Sequence, residues 1–370
     1  MKKLGLVALL ILTALFSDSC KKQSPEAPIY TELLIVGGGA SGTMAGIQAA
    51  RMGVNALIIE ETPWLGGMLT SAGVSAVDGN YRLHSGLWEE FRQKVYDHYG
   101  GADSVKTGWV SNVLFEPQVG HEILTNMASA EAKLQVMHHS MIDQLKKEKD
   151  GEWTGTVINT KNSKQQKIKA KLVIDATELG DVAKMVGVPY DIGMDARAVS
   201  GEEIAPEQAN DIIQDLTYVA ILKDYGDDSH LMSEVPPDYD PSQFKYTCAS
   251  EVEVDLKGNK LWGCDFMMDY GKLPNGYYMI NWPIAGNDYY LNILELDKAA
   301  REKALQKAKN FTLGYIYYLQ HELGFTHLAL ADNIYDTPDL LPYIPYHRES
   351  RRIKGLVRVN VDDMARPFDR

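Results

Sequence analysis

The sequence predicts an α/β fold: a parallel-sheet nucleotide-binding unit carrying an inserted α+β section. Three observations predict it. A strand, a glycine turn and a small-residue helix follow one another at residues 33–52; a second β-rich run ends on an acidic residue at Glu60; and a return strand at 171–177 closes a three-stranded excursion. The 370 residues are 45% hydrophobic and 24% charged, enough for one large or two medium cores and unlike a disordered tail or a disulfide scaffold. A net charge of -13 disfavours non-specific binding to nucleic acid.

The N-terminus reads as an export signal. Lys2 and Lys3 precede an apolar run from Leu4 to Phe16, too short to span a bilayer as a mature helix, followed by Ser17-Asp18-Ser19-Cys20. A cysteine in that place resembles the lipobox of bacterial lipoproteins, which implies acylation at Cys20 and a lipid anchor; Asp18 stands where a small residue is usual. Ordinary secretion with cleavage nearby, or an uncleaved anchor, are the alternatives. Residues 21–30 then form a polar tether. Outside the signal, Cys248 and Cys264 remain, either paired in an oxidising compartment or left as two buried thiols.

Leu33 to Val36 form an apolar strand ending at Gly37-Gly38-Gly39-Ala40-Ser41-Gly42, and a helix runs from about Ser41 to Met52. Gly37 permits the turn, Gly39 leaves room for a pyrophosphate at the helix start beside Ala40 and Ser41, and Gly42 allows helix and strand to pack closely. Gly53 ends the helix, and the run Val54–Ile59 leads to Glu60, eighteen residues beyond Gly42, where a carboxylate accepts hydrogen bonds from an adenosine ribose and opposes a 2′-phosphate.

Together with Gly46 and the downstream Leu65-Gly66-Gly67-Met68-Leu69-Thr70, this pattern resembles the FAD-dependent oxidoreductases with a glutathione-reductase-like, Rossmann-like FAD-binding domain. More narrowly it is similar to the bacterial FAD-dependent oxidoreductase family that includes relatives of the heterodisulfide reductase A subunit. The resemblance implies FAD as cofactor, with Gly67, Met68 and Leu69 beside the ribityl chain and flavin. It also implies that strand-like stretches at 134–139, 141–145 and 153–160 return through Lys171–Thr177, with Ala176 and Thr177 touching the dinucleotide and the main chain of Ile142 meeting the adenine. Glu178 stands where the family's Ala-Thr-Gly motif has glycine.

The predicted organisation is a signal at 1–20, a tether at 21–30, an FAD-binding domain at 31–190, a cap or substrate domain at 191–345, and a return segment at 346–370 that is incomplete against the family pattern, through truncation or loss. In the cap, strands are expected near 246–254, 261–267, 277–282 and 289–294, then an amphipathic helix from about Asp297 to Leu323. The return segment His347-Arg348-Glu349-Ser350-Arg351-Arg352 resembles a family motif; Arg348, Arg351 and Arg352 either contact an anionic substrate or flavin, or form a salt-bridged turn with Glu349. His84 is the candidate proton donor or acceptor, equally readable as structural.

His138 and His139 on one strand would face opposite sides and make no metal site alone. A [4Fe–4S] cluster needs about four thiolates, and two are at hand. Lacking a Cys-x-x-Cys, the chain is expected to transfer a hydride between a small-molecule substrate, anionic or carbohydrate, and the flavin, passing electrons to an unidentified acceptor. The alternative is a polysaccharide-associated surface protein or lyase that retains a flavin-binding fold.

Overall fold

The computed structural model describes residues 27–365 apart from 80 and 251. The expected export signal and the expected acylation site at Cys20 lie outside the described residues. The main sheet has six strands: β1 (Ile29–Val36), β2 (Ala56–Ile59), β3 (Leu134–Met137), β4 (Ser140–Lys147), β5 (Trp153–Asn159) and β6 (Gln165–Asp175), in the order β3-β2-β1-β6-β5-β4. β1, β2, β3 and β6 run parallel, whereas β5 is antiparallel to both β4 and β6. β1 therefore starts within the stretch expected to be tether.

The runs Leu33–Val36 of β1 and Ala56–Ile59 of β2 are apolar on both faces because both faces are covered, whereas β6 is exposed along much of its length. On one side, α1 (Ala40–Arg51), α2 (Gly86–Tyr99) and α3 (Pro117–Ser129) enclose a core that includes Ile35, Ile47, Ile58, Phe91, Phe115 and Leu124. On the other, Leu34, Val36, Leu57 and Ile59 pack against Ile142, Val157 and Val182 from the antiparallel excursion and from α4 (Asp181–Met185). β6 continues at its C-terminal end into Ala176-Thr177, beside the end of β1.

After β7 (Tyr190–Asp191), a second core forms around β8 (Leu216–Thr217), β9 (Ala220–Asp224), α5 (Cys264–Met268), β10 (Tyr277–Ile280), β11 (Asp288–Tyr289), α6 (Lys298–His321) and β12 (Leu328–Leu330). The expected helix is present as α6, with the Asp297 carboxylate accepting from Ala300 N–H at 2.9 Å. The apolar run Leu216–Leu222 forms two strands that the motif reading passed over. Among the described residues, the expected strands at 246–254 and 261–267 do not form: the chain there makes the isolated bridges Ala249–Gly263 and Val254–Lys260, and Cys264–Met268 is helical. The cause is local. Asp255 accepts from Lys257 and Asn259 N–H to close a turn, and Met267 and Met268 are buried while Phe266 is exposed.

A disulfide joins Cys248 and Cys264, settling the open pairing against two free thiols. The chain then returns through β13 (Tyr346–His347), paired with β8, and β14 (Arg352–Ile353), paired with β7. Closing a loop with a sequence separation of 16, the disulfide stabilises the fold by about 3 kcal/mol through the entropy it removes from the unfolded chain. Reductant is expected to lower the melting temperature, Cys248→Ser to reproduce that drop, and reductant to have no further effect on the variant. An unchanged melt of the reduced protein would refute the estimate.

Candidate functional site

At the C-terminal end of the parallel strands, β1, α1 and β6 come within backbone contact. Gly37 turns out of β1 at φ +102°, where its N–H donates to Ile59 O at 2.8 Å; any side chain there would run into the Ala176 carbonyl. Gly39 is the N-cap of α1 and supplies no side chain to cap it, so the first N–H groups of the helix, beginning at Ala40 and Ser41, have no side-chain acceptor. Gly42 lies directly against the Gly37 carbonyl.

Glu60 follows β2 and is buried. Its Oε2 accepts from Gly38 N–H at 2.6 Å, and its Oε1 accepts from Thr62 N–H at 2.9 Å and from the Thr62 hydroxyl at 2.6 Å. Burial raises its pKa, against the pull of those hydrogen bonds. A cavity opens here, bordered by Gly37, Gly39, Glu60, Glu61, Gly67, Ser140, Met141, Ala176, Thr177 and Glu178. Ser140 and Met141 border this cavity, and the adjoining Ile142, whose main chain is expected at the adenine, buries its side chain in the core.

The turn at Gly67–Leu69 joins this cavity to another. Gly67 borders the first, while Met68 and Leu69 border a second cavity of about 310 Å³. Its walls are Val74, Ala76, Val77, Asp78, Val110 and Met279, with Tyr270, Asn281, Tyr346 and Arg348 as polar groups. Burial pushes the Tyr270 hydroxyl up to about 12, so it keeps its proton. Asp78 is raised by partial burial.

Of the three arginines, Arg348 alone borders this second cavity, and its Nη atoms are engaged: they donate to Asp288 Oδ1 and Thr217 Oγ1 at 2.8 Å, to Asp215 O at 3.0 Å and to Asn281 Oδ1 at 3.1 Å. Arg351 is sealed in the interior, bonding Asp181 at 2.8 Å, Leu179 O at 2.7 Å, Glu295 and Leu294 O. Arg352 pairs with Asp195 at 2.9 Å. Arg351 and Arg352 border neither cavity, and their partners lie on the segments they tie together rather than at Glu349. His84 is exposed, facing Glu89 and Arg92, and borders neither cavity.

Sequence reasoning missed His121 on α3. Its Nδ1 accepts from Leu65 N–H at 3.2 Å and its ring stacks on Trp64, which anchors the turn leading into Gly66-Gly67. No local motif marks it, because its partner lies 56 residues away. His347, named in the sequence only as the start of the arginine-rich segment, borders the first cavity beside Arg301.

The residues present fit a flavin dinucleotide. An uncapped helix N-terminus suits the pyrophosphate, Glu60 suits the ribose, and Gly37 and Gly42 could not accept side chains without colliding with backbone atoms. The family described as FAD dependent oxidoreductase matches residues 32–369. Similar solved structures include the rebeccamycin biosynthetic enzyme RebC with reduced flavin (12% identity, 54% of this chain and 39% of that one, TM-score 0.35). Others are the flavin-dependent monooxygenase PieE in complex with FAD and substrate (11%, 55% and 36%, 0.33) and a flavoprotein/dehydrogenase from Cytophaga hutchinsonii (15%, 53% and 46%, 0.36). The chain thus spans less than half the length of each. No curated protein matches it.

Burial depresses His121 and His347 to about 4, from an ordinary value of 6.5. Both are neutral in the folded state at pH 7, so their stabilisation is present above pH 6.5 and is lost as pH falls toward 4. Urea denaturation across that range is expected to show stability falling by at most about 1.4 kcal/mol per pH unit per histidine, less for the partly solvated His121. His121→Asn, which retains an acceptor for Leu65, is expected to flatten the slope. An unchanged slope in that variant would show that His121 does not titrate with folding.

Proposed function

The chain belongs to the family of FAD-dependent oxidoreductases, and from that premise we propose that it binds FAD and transfers a hydride between the flavin and a small-molecule substrate held in the second cavity. The observation that carries this reading is the junction at Gly67–Leu69, where one turn borders the dinucleotide cavity with Gly67 and the second cavity with Met68 and Leu69. The bound flavin supplies the hydride acceptor.

The chain supplies position and protons. Gly37 and Gly39 bring backbone to the dinucleotide, Glu60 orients its ribose, and Ala176 and Thr177 close the opposite side. In the second cavity, Tyr270 offers a retained O–H, Asn281 an amide, and Asp78 a carboxyl that accepts or returns a proton. Asp288 already neutralises Arg348, the only cation on this wall among the described residues, which favours a neutral, hydroxyl-bearing substrate over the anionic class.

We place the protein outside the cytoplasm, lipid-anchored through Cys20. The Cys248–Cys264 disulfide supports an oxidising compartment.

Three experiments test these readings. Gly37→Val, which directs a branched side chain at the Ala176 carbonyl, is expected to weaken FAD binding at least about tenfold, an energy near 1.4 kcal/mol. Wild-type protein reconstituted with FAD should bleach its visible flavin band anaerobically when given the right alcohol or sugar; failure to retain flavin would remove the proposal. Cys20→Ser is expected to abolish fatty-acid labelling and release the protein from the membrane fraction, and unaltered labelling would remove the anchor.

A further inference from the structure

Four carboxylates border the dinucleotide cavity, and they are held in different ways. Glu60, at the end of β2, is committed to Gly38 and Thr62. Asp181 is paired with Arg301 and Arg351. Glu61 is raised by burial and eased by Lys298 and Arg301. Glu178 stands apart: its carboxylate has no hydrogen bond or cation partner among the described residues, and the charge that acts on it is that of Glu60. A methyl group on Gly67 would lie 2.5 Å from Glu178 Oε1, and one on Gly39 would lie 3.0 Å away. The carboxyl group therefore rests between the two glycine turns that the dinucleotide must approach.

We propose that Glu178 holds the dinucleotide as a neutral carboxylic acid, taking up one proton from solvent when FAD binds and donating the resulting O–H to the polar chain of the cofactor. This rests on the reading that the chain binds FAD. The argument is one of charge and space. A carboxylate at the exposed rim between Gly39 and Gly67 faces Glu60 and would also face the cofactor's phosphate charge, while both Arg301 Nη atoms are held by Asp181. His347, the other titratable group on that wall, is neutral and adds no cation. Protonation removes the repulsion and turns an acceptor-only group into a donor. Burial and the Glu60 charge already raise the Glu178 pKa before any ligand arrives.

The test is FAD binding to the full chain from about pH 5.5 to 8.5, followed by quenching of flavin fluorescence and by calorimetry in buffers of different ionisation heat. For the wild type, Kd is expected to rise by up to about tenfold per pH unit at the alkaline end, with net proton uptake on binding. Glu178→Gln, which keeps a donor and cannot ionise, is expected to bind with a flat pH profile and no uptake from this site. Glu178→Gly, lacking the side chain, should also be flat, and it serves if the glutamine variant fails to fold. Wild-type binding without proton uptake, or a pH slope that persists in both variants, would overturn the role of Glu178. Absence of FAD binding by the wild type at every pH would instead overturn the flavin reading on which it rests.

Discussion

The backbone contact between Gly37 and Ala176 is the constraint on which the rest of the structure depends. β1 and β6 are separated by more than 120 residues in sequence, yet their ends must meet so closely that not even a methyl group fits at Gly37. That contact sets the start of α1, because Gly42 rests on the Gly37 carbonyl, and so it sets where the helix's unpaired N–H groups point. It also brings Thr177 and Glu178 to the same opening as Glu60. A chain that failed to close this gap would keep its strands and helices but would lose the concave surface between them.

The return segment does for the second core what the glycine contact does for the sheet. Arg351 sits at the meeting point of Leu179, Asp181, Leu294 and Glu295, so a single buried guanidinium joins the start of α4 to the segment before α6. A buried cation is tolerable only when its donors are satisfied, and the two carbonyls and two carboxylates do this together. Arg348 performs the parallel task between β8, β11 and Asn281. These are structural roles, but Arg348 also forms a wall of the second cavity, and the rigidity of that wall follows from its four hydrogen bonds.

The dinucleotide half was readable in sequence because its signals are local. A strand that ends in Gly-x-Gly-x-x-Gly, followed by an acidic residue at the next strand's end, constrains a few dozen consecutive residues, and β1, α1, β2 and the excursion β4–β6 follow it. The 246–268 region was misread because side-chain hydrogen bonds to Asp255 turn the chain there and Met267 and Met268 are buried on a short helix, neither of which the alternation of its side chains reveals. The roles of the arginines were underdetermined for a related reason. An arginine-rich run looks the same whether its partners are a ligand or distant carboxylates, and here Asp181 lies 170 residues before Arg351. His121 shows the same limit, since only the fold brings it to Leu65.

That separation of 170 residues also orders events during synthesis. The strands β1 to β6 and their helices can assemble while the ribosome is still making the second core, since their pairings lie within the first half of the chain. Arg301 reaches Asp181 first, and Arg351 follows to add a second cation there and to close on the Leu179 carbonyl. Asp181, on the cavity wall, is thus tied down by residues made long after the sheet, so a nascent chain passes through an interval with its sheet formed and this wall unsecured.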